Sequence, residues 1–109
     1  MLPVADALSA AAEPTRRRLL QLLATGPRTV SELAEQFTVS RPAISQHLAV
    51  LADAGLVSAR KDGRQRFYSV VPSGITQLRA EIDRFWSAEL DLLVDDAARR
   101  AVTPPEEHR

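Results

Sequence analysis

The chain has 109 residues, one domain's worth, with 45% hydrophobic and 26% charged residues, an ordinary balance for a globular protein. It carries no cysteine, which excludes disulfides, thiolate metal sites and thiol redox sensing, and its two histidines, His47 and His108, lie too far apart to suggest a metal site. Fourteen Lys and Arg balance fourteen Asp and Glu, a net charge of zero that argues at first sight against a polyanionic partner.

Residues 4–12 (VADALSAAA) are alanine-rich with Val4 and Leu8 four apart, which predicts a short helix. Glu13-Pro14 interrupts it. Proline suits the first turn of a helix, so a second helix is expected from about Pro14 to Ala24. Leu19, Leu20, Leu22 and Leu23 give it a wide apolar face, and Gly26-Pro27 stops it. Arg16, Arg17 and Arg18 open this helix at the end where the dipole disfavours cations, so solvation is the expectation for them, with a phosphate contact or pairing with an acidic residue as the alternative for one of them. Thr29-Val30-Ser31-Glu32 fits a capping box, followed by a short third helix to about Gln36, buried through Val30, Leu33 and Ala34, with Phe37 just beyond. Thr38-Val39 reads as a tight turn. Ser40 then caps a fourth helix that has Pro42 in its first turn.

From Leu56 the period changes. In LVSARKDGRQRFYSVVP, β-branched and aromatic residues flank Asp62-Gly63, a strong hairpin signal, and strands are expected near 56–60 and 66–71. Pro72-Ser73-Gly74 is expected to end the second strand, and a long helix to run from Ile75 to about Arg99. The order is α-α-α-α-β-β-α, mostly α with a β-hairpin (α+β). A short helix joined by a tight turn to a second is a helix-turn-helix, and a basic hairpin directly after it is a wing. No run is apolar enough to span a bilayer and no signal-peptide anatomy opens the chain, so no membrane partner and a cytoplasmic location are expected.

The zero net charge hides a split. Residues 40–66 carry five cations (Arg41, Arg60, Lys61, Arg64, Arg66) against Asp53 and Asp62, a net of +3. Residues 75–98 carry Arg79 and Arg84 against six acids, a net of −4. On the fourth helix, rotating about 100° per residue places Ile44, Leu48 and Leu51 on one face and Pro42, Gln46, Ala49 and Asp53 opposite, with Ser45 to one side. The face near the helix start is then Arg41, Pro42, Ser45 and Gln46. Arginine can bond guanine and glutamine can bond adenine in a major groove, while serine is small and bonds either way. On the hairpin, Arg60, Lys61, Arg64 and Arg66 repel one another unless something anionic lies against them. Arg64 is expected to probe a groove or phosphate, and the others to neutralise backbone. His47, on the flank of the core face, is expected to pack and hydrogen-bond within the fold.

Along the last helix Ile75, Leu78, Ile82, Phe85, Trp86, Leu90 and Leu93 follow steps of three and four. This stripe is roughly 36 Å long at about 1.5 Å per residue, longer than a small winged core can cover. Part of it is expected to pack within the chain. The rest, with Leu8 of the first helix, is expected to form a two-fold dimer interface. Two copies would then read a palindrome with half-sites about 34–36 Å apart. Glu89, Asp91, Asp95 and Asp96 are scattered acids expected to be solvated, and neither metal nor cofactor is expected. Double-stranded DNA and a second copy are the expected partners, with residues 1–100 as one DNA-binding and dimerisation domain and 101–109 as a flexible tail. No nucleophile elbow or acid/base pair points to an enzyme. A winged-helix protein-interaction module remains as the alternative, for which an apolar patch on the fourth helix would speak.

The stretch EPTRRRLLQLLATGPRTVSELAEQFTVSRPAISQHLAVLADAGLVSARKDGRQRFYSV resembles the winged helix-turn-helix of the ArsR/SmtB family of bacterial transcriptional repressors. The resemblance covers about residues 5–100, and SRPAISQHLAVLADAGLV and DGRQRFY are its most specific parts. It implies a homodimer whose fourth helix enters the major groove, with Ser40, Arg41, Ser45 and Gln46 as readers and Arg64 as the wing contact. Metal-sensing members carry a cysteine motif where this chain has SELAEQ, or His/Asp ligands on the last helix, where this chain has EIDRFWSAELDLLVDD without histidine. The chain is therefore similar to the subgroup without metal-ligand motifs, and its effector is not legible.

Overall fold

The computed structural model describes residues 4–102. Its elements run α1 (Val4–Ala12), α2 (Pro14–Leu23), β1 (Arg28–Thr29), α3 (Val30–Ala34), α4 (Arg41–Asp53), β2 (Val57–Asp62), β3 (Gln65–Val70) and α5 (Pro72–Val102). The winged helix-turn-helix is present, with one strand more than the sequence suggested. The two residues of β1 pair antiparallel with β3, Arg28 opposite Tyr68 and Thr29 opposite Phe67, giving the sheet order β1-β3-β2.

Local chemistry sets the helix boundaries. Glu13 caps α2 by accepting the Arg16 amide N–H at 2.8 Å, and Pro14 takes the first helical position, where its missing N–H costs nothing. Thr29 and Glu32 form the expected capping box: Thr29 Oγ1 accepts from the Glu32 amide at 3.1 Å and Glu32 Oε1 accepts from the Thr29 amide at 2.9 Å. Ser40 Oγ accepts from the Ala43 amide at 3.3 Å and starts α4.

Leu19, Leu33, Ile44, Leu48, Leu51 and Leu56 are completely buried and form the centre of the core, with Leu23, Val57 and Leu78 around them. All three helices of the α2–α3–α4 unit thus bury one face in a single cluster, which fixes the pitch of α4 against the rest.

Two boundaries differ from expectation. The hairpin turn is Gly63-Arg64, because Asp62 still pairs with Gln65; the strands run 57–62 and 65–70. Gly63 takes the positive φ of 66° that a two-residue turn needs at its first position. At the other end Pro72, expected as a stop, is the first residue of α5, and the Ile75 amide closes the first helical turn on the Val71 carbonyl at 3.1 Å. Gly74 is there because α5 starts against the turn behind α4: a Cβ on it would overlap the Gly55 carbonyl.

Helix α5 has 31 residues, about 46 Å at 1.5 Å per residue, and its far half leaves the core. The molecule measures 69 × 30 × 21 Å with a radius of gyration of 19.6 Å, against about 13 Å for a compact chain of this length. The helix continues two residues into the expected tail, to Val102; residues 103–109 lie outside the described residues.

Candidate nucleic-acid interface

The α3–turn–α4 unit presents an exposed ridge. Arg41, Pro42, Ser45 and Gln46 are all exposed, while Ile44, Leu48 and Leu51 on the opposite face are completely buried. Ser40 is exposed at the start of the ridge; its oxygen accepts the helix cap, which leaves its O–H free to donate. Ala49, one turn on, is exposed and small, so a groove wall can approach the helix closely.

The hairpin adds the charge. Arg60, Lys61, Arg64 and Arg66 are exposed, as expected, but they are not equivalent. Lys61 and Arg66 are direct cross-strand partners, a like-charge pair that destabilises a hairpin by itself. Strand alternation puts this pair on the same face as Val57, Tyr68 and Val70, the face that packs on the core. Arg60 lies on the other face. Its guanidinium sits 5.9 Å from the Phe67 ring centroid and 3.9 Å from Asp62, so it is partly committed within the wing. Arg64 occupies the turn itself. Among the described residues, Lys61, Arg64 and Arg66 form no ion pair.

The dimer candidates divide. Leu78 is 7% exposed and belongs to the chain's own core; Leu8, Ile75 and Ile82 are half-buried against that core. Phe85, Trp86, Leu90 and Leu93 are 45–59% exposed, and Leu92 and Val94 join them at 62% and 65%. Phe85 and Trp86 pack edge to face, their centroids 5.4 Å apart. This is the large apolar patch of the described surface, and it lies on α5. On α4 itself Val50 is the one large apolar side chain so exposed.

Sequence reasoning missed one group of contacts. Arg16, expected to be solvated, donates through Nε to the Ala10 carbonyl at 2.7 Å and meets His47 Nδ1 through Nη1 at 3.3 Å. Glu13 Oε1 lies 4.0 Å from the same ring nitrogen. The Arg16 backbone N–H, donated to Glu13, is the main cause holding that carboxyl below the usual carboxylate range; burial opposes it, and the Arg16 charge and the Thr15 amide add to it. The one available signal was His47 on the flank of the apolar face; nothing local to the sequence said which arginine would reach it.

Known proteins share this arrangement. Over 84 residues the chain is 49% identical to the HTH-type transcriptional regulator Rv2034 of Mycobacterium tuberculosis, spanning 77% of this chain and 78% of that protein. The model for bacterial regulatory proteins of the arsR family matches residues 13–59, from the α2 cap through α4 into β2. The chain belongs to the ArsR family. It is a DNA-binding transcriptional regulator and not an enzyme, which decides against the interaction-module alternative. The transcriptional repressor SdpR of Bacillus subtilis is 38% identical over 65 residues, 60% of this chain and 72% of SdpR. Among solved structures, a protein described as a possible transcriptional regulator for arsenical resistance is 62% identical, with a TM-score of 0.75 over 84% of this chain and 95% of that one. The matched family stretch ends at Ala59, before the cations of this ArsR-family chain's wing tip.

Proposed function

We propose that this ArsR-family regulator is a homodimeric repressor that binds a palindromic operator, with α4 in the major groove and the wing on the backbone. One observation carries the reading: an exposed Arg41–Ser45–Gln46 ridge together with three exposed wing cations, two of them directly opposed, that form no ion pair among the described residues. In this reading Gln46 and Arg41 bond base edges, Ser40 and Ser45 bond bases or phosphate, and Pro42 and Ala49 admit the groove wall. Arg64 reaches into the groove or phosphate beyond the turn. Lys61 and Arg66 neutralise phosphates on the core-facing side of the wing, and Arg60 is the weakest contributor because Phe67 and Asp62 already hold it.

The second copy covers α5. Phe85, Trp86, Leu90 and Leu93, together with Leu92 and Val94, form the seam; Leu8 and Ile82 flank it, and Leu78 stays in the monomer core. Large apolar side chains gathered in the open on one helix mark an interaction surface, and a second copy supplies the second half-site contact. Repression as the sense of regulation rests on the name of SdpR. No described helix is long and apolar enough to cross a membrane, and a DNA regulator acts where the DNA is, in the cytoplasm. Any effector is taken to be non-metallic, in keeping with the absence of cysteine from the sequence.

Fluorescence anisotropy with a duplex from the promoter of its own operon tests the reading. Tight binding that weakens steeply with salt is expected. Binding that ignores salt, or is untouched by both Gln46→Ala and Arg64→Ala, overturns the assignment of α4 and the wing.

A further inference from the structure

Arg16 touches three helices at once. It sits in the first turn of α2, donates to the Ala10 carbonyl near the end of α1, and meets His47 on the inner flank of α4. His47 immediately follows Gln46 on the exposed ridge, so the ring is attached to the helix whose pitch aims Gln46. An arginine can only donate. For this contact to be a hydrogen bond, His47 Nδ1 must accept, which requires a neutral ring carrying its proton on Nε2.

We propose that Arg16 and His47 form a proton-sensitive joint that positions α4 against α1 and α2, so that sequence discrimination is high when the imidazole is neutral and falls when it is protonated. A proton on Nδ1 removes the acceptor that Arg16 uses. It also places two cations 3.3 Å apart and turns the ring into a donor aimed at Glu13 Oε1, now 4.0 Å away. Glu13 is ionised throughout this range, since the amide it caps holds its carboxyl low. The ring is thus drawn from Arg16 toward the α2 cap, and the guanidinium loses its hold on α4. Other elements bring no charge to the ring among the described residues. The described side chains of α1, Ala7 to Ala12, carry none. Glu32 of α3 is held in its own capping box, and the charges of β2 begin at Arg60, three residues out from buried Val57.

The inference rests on the DNA-binding reading, and its test has one arm that needs no DNA. In NMR spectra of the free protein, the His47 Nδ1 should show the shift of an unprotonated acceptor at about pH 8, and the α4 amide signals should move together with the His47 ring signals as the pH is lowered. His47→Gln keeps a neutral acceptor and should remove that movement. Amides of α4 that stay put while His47 titrates overturn the joint, whatever the DNA result. The second arm measures the ratio of affinities for the promoter duplex and a scrambled duplex, which cancels the general attraction of an added positive charge for phosphate. For the native chain the ratio should drop by about fivefold or more between about pH 8 and pH 5.5. It should be flat in His47→Gln. In Arg16→Lys, which cannot reach both partners, it should be low and flat. A ratio that is flat in the native chain, or a drop that survives in His47→Gln, overturns the proposal. A residue that only stabilises the fold would shift the melting temperature of these variants without abolishing the pH step.

Discussion

Helices α4 and α5 carry the same kind of apolar stripe and meet opposite fates. In α4 the stripe residues Ile44, Leu48 and Leu51 are completely buried. In α5 the same spacing leaves Phe85 45%, Trp86 54%, Leu90 53% and Leu93 59% exposed. Periodicity says that a face wants burial; it does not say by what. The α4 stripe is matched by α2, α3 and the base of the sheet, and its back is left free to be polar. The α5 stripe outruns the core after Ile82, and no surface among the described residues covers it. One helix is covered within the monomer; the far half of the other is left exposed, and in the proposed dimer a second copy covers it.

The largest expected effect breaks the α5 side of that contrast. Phe85→Glu combined with Trp86→Glu puts two charges into the seam. Sedimentation should show the mass falling from dimer to monomer while the circular dichroism of the α1–β3 core is retained; an unchanged mass disproves this interface. On the α4 side, Leu48→Ala should instead destabilise the fold itself, by about 2–5 kcal/mol, read as a loss of denaturation free energy. Changes on the exposed back of α4 should leave the fold alone. Gln46→Ala should cost about 1–3 kcal/mol of operator affinity and relax the preference at one base pair, with no change in melting. Arg64→Ala should weaken all duplexes alike and reduce the salt slope by about 1. The smallest effect is at the helix start: Ser40→Ala should cost about 1 kcal/mol of stability through the lost cap, and a thermal melt measures it.

Much of this was readable because it is local. Caps at Thr29, Glu32 and Ser40, the proline at the start of α2, the glycine of the hairpin and the inner face of α4 depend on neighbours within a turn or two. The same is true of the exposed ridge, since Arg41, Ser45 and Gln46 follow from the position of Ile44. What escaped the sequence depends on distant partners. Two residues at Arg28-Thr29 have no strand signature, and become a strand because Phe67 and Tyr68 arrive beside them. Pro72 reads as a terminator, yet its ring is equally at home in the first turn of a helix, and only the path of the chain after Val70 chooses. Leu78 has the spacing of the exposed seam but falls where α5 still touches the core. Arg16 looks like one of three equivalent cations until α1 and α4 are placed on either side of it.

The contact between Gly74 and Gly55 carries one more consequence. The root of α5 lies directly on the turn that ends α4, with no room for a side chain between them. In a dimer joined through α5, that contact is the hinge from which each α4 is held out toward the DNA. In that arrangement the length of the spacer tolerated between the two halves of the operator is expected to depend on the contact at Gly74. A Cβ there would force the root of α5 and the turn that ends α4 apart and is expected to shift the preferred spacer, which a series of duplexes with the half-sites moved apart base pair by base pair would reveal.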